Sequence, residues 1–447
     1  MWFERALLPE GWAQHVRLEL ADGRISTVMP GVARLPGEAN HGIALPGLCN
    51  LHSHAFQRAM AGLTEHAGPD SDDFWSWREL MYRFLARLTP ADVQAIAALA
   101  YIEMLESGFT RVGEFHYLHH QPDGNFYDHR AEMAEAIAAA AEESGIGLTL
   151  LCCFYAHSDF GGAPPQPGQR RFINSLDGFA ALVDQSRSIV RQLPHAKIGI
   201  APHSLRAVTP AELSQLRALW PEGPMHIHAA EQTREVEACI AKLGAPPVRW
   251  LLDHAGIDAR WCLVHATHMT AAETLGLARS TAVAGLCALT EANLGDGIFP
   301  TREYLSAGGR LGLGTDSNIT IDAPSELRGI DYAQRLVLHR RNPLAHGTSS
   351  GRTLFAAAHL GGTQALGVNA GGLSSGACAD IVTLDSDDLA ILARCDDSIL
   401  DSWIYASRPT LIREVWRGGR QVVEAGQHVA RPRIAARYRK ILLGLLS

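Results

Sequence analysis

The sequence predicts an α/β protein: a (β/α)8 TIM-type barrel with a small β-sandwich domain formed by both termini. Three observations lead there. The middle of the chain alternates short apolar runs with helical patterns, the signal of parallel strands joined by crossover helices. These runs number eight, which fits a closed barrel better than an open sheet. Strand-rich segments of another character stand at the two ends of the chain.

In order, residues 1–44 read as short strands and turns, with the alternation of HVRLELADGRISTVMPG broken at Asp22-Gly23. The eight runs follow within 45–371: IALPGLC, TRVGEF, GLTLLCC, KIGIAP, PMHIHA, WCLVHA, AVAGLC and RLGLGT. Helical stretches such as PADVQAIAALAYIEMLESG and HRAEMAEAIAAAAEESG separate them. Residues 372–447 return to strands in ADIVTLDSD and LIREVWRGGRQVVEAG, and RIAARYRKILLGLL closes as a helix. The expected organisation is therefore 1–44 plus 372–447 as the small domain and 45–371 as the barrel.

Composition narrows the function. With 47% apolar and 19% charged residues the chain is that of a folded soluble protein, and a formal charge of −8 offers no basic face for nucleic acid. No apolar run is long enough to span a membrane, and the acidic N-terminus does not read as a signal peptide. Eight scattered cysteines without a CxxC pair read as buried free thiols in a cytoplasmic protein. The lone sequon at Asn318 is then a chance match. No GxGxxG turn follows a strand, so a dinucleotide site is unsupported.

Chemistry in such barrels sits at the C-terminal ends of the strands. There the sequence places His52 and His54; Glu114, His116 and Tyr117; His203; His228 and Glu231; His265 and His268; Thr290-Glu291; and Asp316. Each piece alone is weak: an HxH pair is often two solvated histidines, and an Asp after a glycine-rich strand is ordinarily a turn or cap. The order carries the signal, with HxH on strand one, HxxE on five, His on six and Asp on eight.

The runs LPGLCNLHSHAFQRAMAGLTE, HIHAAE, LVHATH and LGLGTDS resemble the amidohydrolase superfamily, in its aminohydrolase (deaminase) branch. HSHAFQRAM, DDFWSWRELMYRF and TEANLGDGIFP are similar, more narrowly, to the formimidoylglutamate deiminases of histidine degradation. The branch generally carries a Ser-Asn pair near strand seven, where this chain has Thr290-Glu291-Ala292-Asn293, a departure that argues against a purine deaminase.

The resemblance implies one zinc ion per chain, or another divalent metal, held by His52, His54, His228 and Asp316. Lys197 lies at the wrong end of strand four to carry a second metal. Glu231 would serve as acid/base catalyst, His265 would stabilise the hydroxide or the developing charge, and Asp316 would accept a water proton. Two alternatives stand beside these roles: a surface salt bridge from Glu231 to Arg234, and His265 as a further metal ligand. His268 is read as structural.

A small-molecule dicarboxylate substrate calls for cationic forks, assigned to Arg78 and Arg206, with Gln57, Tyr117 and His203 adding hydrogen bonds. A homodimer is implied by the resemblance alone. The competing functions are deamination of a purine-type heterocycle such as guanine, and a metal-free scaffold on the same fold.

Overall fold

The computed structural model describes residues 1–65, 74–345, 347–369, 371–407 and 411–446. The motif DDFWSWRELMYRF therefore begins outside them, at Asp72 and Asp73.

Eight parallel strands close into a barrel: β5 (Leu48–Ser53), β6 (Phe109–His116), β7 (Gly147–Phe154), β8 (Lys197–Pro202), β9 (Met225–Ala229), β10 (Trp261–His265), β11 (Val283–Leu286) and β12 (Arg310–Leu313). They follow one another around the barrel in chain order, and β12 closes on β5 with Leu313 opposite Asn50. A second sheet joins the ends of the chain. It contains β1 (Trp2–Leu8), β2 (Gly11–Ala21), β3 (Arg24–Met29), β4 (Ile43–Pro46), β13 (Ile381–Leu384), β14 (Ile412–Arg417), β15 (Arg420–Glu424) and β16 (Gln427–His428). Its order is β16-β15-β14-β13-β4-β1-β2-β3, so β4 next to β13 is the seam between the two ends of the chain. Phe3, Val16, Leu18, Ile25 and Ile381 form its own apolar cluster.

One reading needs correction. IALPGLC looks like a single barrel strand, but the chain divides at Gly47: Ile43–Pro46 pairs in the terminal sheet and the barrel strand begins at Leu48. Gly47 passes so close to Thr110 that a Cβ there would lie 2.3 Å from its side chain. The close pass fixes the hand-over between the sheets.

The helices form where local chemistry favours them. Pro90–Glu106 starts with a capping box between Thr89 and Asp92, and Glu132–Ser144 stops at Gly145 with φ 75°. The final stretch forms the helix Arg431–Leu446. Six of the cysteines are buried and none is disulfide-bonded among the described residues; Cys378 is half-buried and Cys395 exposed, so the buried-thiol reading fails for those two. The sequon asparagine, Asn318, is fully buried and cannot be a glycan acceptor in the folded chain. Among the described residues no helix is long and apolar enough to cross a membrane.

Candidate active site

The rim at the C-terminal ends of the strands gathers a compact set of imidazoles. His52 Nε2 lies 3.1 Å from His228 Nε2, and the Nε2 atoms of His52 and His54 each lie 3.4 Å from Asp316 Oδ1. His54 Nδ1 points at the Phe115 carbonyl and His228 Nδ1 at the His203 carbonyl, each at 2.9 Å. A carbonyl only accepts, so both Nδ1 atoms carry the proton and both Nε2 atoms present a lone pair. Burial keeps these rings neutral. It lowers His52 to about 3, His54 below its usual range and His228 far below it.

His52, His54 and His228 draw within metal-ligand reach of one another. Three neutral imidazoles and a carboxylate, with two rings locked by backbone carbonyls, match the donor set and outer support of a zinc site. The residues fit the ion.

The backbone is bent to achieve this. Asp316 has φ 44° and His265 φ 67°, left-handed values that cost about 1–3 kcal/mol each for a residue with a side chain. The Asn318 side-chain amide donates to Ser53 Oγ and to the carbonyls of His54 and Asp316, which ties β5 to the turn after β12. Gly314 beneath the site has no room for a Cβ, which would meet the Cβ of His52 and the Cys287 sulfur at 2.8 Å.

Beside the imidazoles lies an acidic pair. Glu231 Oε1 is 3.7 Å and Asp316 Oδ2 3.8 Å from His265 Nε2, while Glu291 Oε1 is 3.2 Å from His265 Nδ1. Burial pushes the Glu231 carboxyl up to about 7, against the pull of His265. Burial alone would lower His265, but Glu231, Glu291 and Asp316 carry it well above its usual value. Glu231 is 5% exposed and forms no ion pair with Arg234 among the described residues; Arg234 instead stacks on Trp75 at 4.7 Å. His265, Cys287 and Asp316 make a second group within ligand reach, so the alternative of His265 as a metal ligand keeps a geometric basis.

A cavity opens over this cluster. It is lined by Gln57, Arg78, Tyr117, His203 and Arg206 together with His54, His228, Glu231, His265 and Asp316. Gln57 Nε2 donates to Tyr117 Oη at 3.0 Å, which leaves Gln57 Oε1 buried without a partner among the described residues. The Nε atoms of Arg78 and Arg206 are likewise buried and unpartnered. Lys197 stands exposed at the start of β8, remote from this rim.

Some groups expected at the rim are not in the cavity. Glu114 accepts from Ala55 N at 2.7 Å and Tyr101 Oη at 3.1 Å, and burial pushes it up to about 8. His116 is buried beside His119, and His268 fastens the Asp296 carbonyl at 2.7 Å. Sequence reasoning missed the aromatic wall of Phe74, Trp77, Tyr82, Tyr155 and Phe172: the first three lie within DDFWSWRELMYRF on the helix Phe74–Leu85, but only the fold brings them to Tyr155 and Phe172. It also missed Asn318, whose place in a sequon gave no hint of the site.

Residues 43–422 match the model of the amidohydrolase family, and residues 2–42 match that of the N-terminal domain of formimidoylglutamate deiminase HutF. Formimidoylglutamate deiminase of Pseudomonas aeruginosa is 48% identical, covering 99% of each chain. A 5-methylthioadenosine/S-adenosylhomocysteine deaminase of Natronomonas pharaonis is 28% identical over 86% of this chain and 81% of its own. The crystal structure of an amidohydrolase from Brucella melitensis is 50% identical and superposes with a TM-score of 0.97, covering 100% of this chain and 99% of that one. A closed barrel with this histidine–aspartate rim, matched by a family model over most of its length, makes the chain a member of the amidohydrolase family.

Proposed function

We propose that the enzyme hydrolyses N-formimino-L-glutamate to N-formyl-L-glutamate and ammonia, with one zinc ion held by His52, His54, His228 and Asp316. The observation that carries this reading is the pairing of two guanidiniums, those of half-buried Arg78 and buried Arg206, with the imidazole–carboxylate cluster in one cavity. Near-complete coverage at 48% identity to a formimidoylglutamate deiminase supports it.

Zinc bound there supplies Lewis acidity and a water acidic enough to attack at neutral pH. The chain's own groups do the rest. Asp316 takes a proton as water adds to the formimino carbon. Glu231, raised to about 7 by burial, gives its proton to the imine nitrogen; as the adduct collapses, its hydroxyl proton and the proton held by Asp316 supply one proton to the departing amine, through Glu231, and one to restore Glu231, so that ammonia leaves uncharged. His265 steadies the negative charge that develops at the attacked carbon's oxygen. Arg78 and Arg206 replace the water stripped from the two carboxylates, and Gln57, Tyr117 and His203 orient the chain between them.

The aromatic wall favours a second reading, deamination of a purine-type heterocycle. A neutral purine leaves both guanidiniums without a counter-charge, which makes it the weaker candidate. A silent scaffold would show gaps in the ligand set. The deciding experiment is ammonia release from formiminoglutamate, guanine and adenosine by the zinc-loaded protein, with metal content measured in parallel. Formiminoglutamate turnover at least about 100-fold above either purine supports the reading; guanine outperforming it, or two tightly held ions per chain, overturns it. Homodimerisation and a cytoplasmic location belong to the same proposal, and sedimentation analysis tests the dimer.

A further inference from the structure

The residue pair that departs from the deaminase branch lies directly behind the site. Thr290 and Glu291 sit in the first turn of the helix Ala288–Leu294, and both are buried. Thr290 Oγ1 bonds the Thr315 carbonyl at 3.1 Å and Ser317 Oγ at 3.0 Å, so it fastens the turn that carries Asp316. Glu291 reaches the other way. Its Oε1 accepts the Cys287 backbone N–H at 3.0 Å and lies 3.2 Å from His265 Nδ1.

We propose that Glu291 is a positioning residue: its carboxylate clamps His265 Nδ1–H, so that Nε2 faces the reacting atoms between Glu231 and Asp316. The inference rests on the proposed hydrolytic reading for its kinetic arm only. The geometry leaves little freedom. His265 has no backbone carbonyl on Nδ1 of the kind that locks His54 and His228. Its backbone is left-handed, so the ring is aimed by a strained turn that a side-chain tether must hold. Oε1 already accepts from the Cys287 amide, and an atom committed to accepting forces the proton of the shared bond onto Nδ1. An asparagine in the place of Glu291 is one methylene shorter and could not span the same gap without moving the helix.

A glutamine in this position can keep its Oε1 as acceptor for both donors and so retain the tether without the charge. Leucine removes the tether while keeping most of the volume. The zinc-loaded protein, E291Q, E291L and H265N are compared by proton NMR in the far-downfield imidazole region and by steady-state kinetics with metal analysis. A downfield N–H resonance is expected in the unmodified protein and, less strongly shifted, in E291Q, and it is expected to vanish in both E291L and H265N. In E291L kcat should fall about 100-fold or more with KM within about 3-fold and metal retained, and E291Q should recover to within about 10-fold of the unmodified enzyme.

Several outcomes overturn the proposal. They are persistence of the resonance in E291L, impairment of E291Q equal to that of E291L, and loss of metal from E291L, which would make His265 a ligand. If E291L does not fold, the resonance in E291Q still decides, and its absence overturns the clamp. If the unmodified enzyme is inert toward formiminoglutamate, the functional reading fails while the NMR comparison continues to test the tether.

Discussion

Asp316 and Asp380 lie at opposite ends of the barrel, with side chains only 8% and 12% exposed, and both are held below the ordinary aspartate pKa. In each case burial opposes ionisation and neighbouring groups overcome it, yet the neighbours differ in kind. Asp380 meets Arg111 Nε at 2.9 Å, Arg417 Nη1 at 3.4 Å and the Gly418 amide at 2.9 Å. Two permanent cations answer its charge, and the pair of guanidiniums joins β6 of the barrel to β14 of the terminal sheet. Asp316 meets His52, His54 and His265, and two of those rings are kept neutral by burial. The same side chain is thus closed off by arginines at one end and set among lone-pair donors at the other. An electron-rich constellation recruits a cation; a balanced one holds two sheets together.

The largest expected effect lies at the upper aspartate. Asp316→Asn should lower kcat/KM by about 1000-fold or more and weaken metal retention, while the metal-free protein melts within a few degrees of the parent. Calorimetry and metal analysis check it, and a large loss of metal-free stability would erase the contrast. Glu231→Gln, beside it, should cost about 100-fold in turnover with metal content unchanged. Loss of metal would instead make Glu231 a ligand.

The substrate side comes next. Arg78→Met and Arg206→Met should each reduce kcat/KM for formiminoglutamate by about 30-fold, with zinc retained. Formiminoaspartate, one methylene shorter, should also turn over poorly, because both forks cannot be reached together. Normal kinetics in both arginine variants would remove the dicarboxylate argument.

At the lower aspartate the effect moves from activity to stability. Asp380→Asn strands Arg111 and Arg417 and should cost about 3 kcal/mol of stability, measured by denaturant unfolding, with kcat/KM of the folded enzyme within about 2-fold of the parent. The pH dependence follows in sign. The folded-state pKa of Asp380 lies below the unfolded value, so its contribution is complete above about 3.9 and is lost as pH falls through the folded value. Asp380→Asn should flatten the acid limb of the stability profile in that window and leave the neutral range parallel to the parent.

The two ends also differ in how far they could be read from sequence. The upper site announced itself, because HxH, HxxE, His and Asp arrive on strands one, five, six and eight, and chain order alone puts those strand ends on one rim. Asp380 sits in ADIVTLDSD and Arg111 in TRVGEF, segments whose periodicity marks them as strands and nothing more. Their meeting depends on the seam between β4 and β13, which also divided IALPGLC into two strands. Glu291 was visible as a departure from the branch pattern, but its partner was not, since 26 residues separate it from His265.

Sequence by itself determined the barrel and the metal-capable rim, because hydrophobic period and strand order are local or sequential properties. Tertiary structure decided which nitrogen of each imidazole faces inward, since the carbonyls of Phe115 and His203 fix the tautomers of His54 and His228. It decided also how Tyr155 and Phe172 join the aromatic residues of the helix Phe74–Leu85, and the arginine pair under Asp380. Those arrangements arise only when distant segments pack, and burial then sets the charge state of every group they enclose.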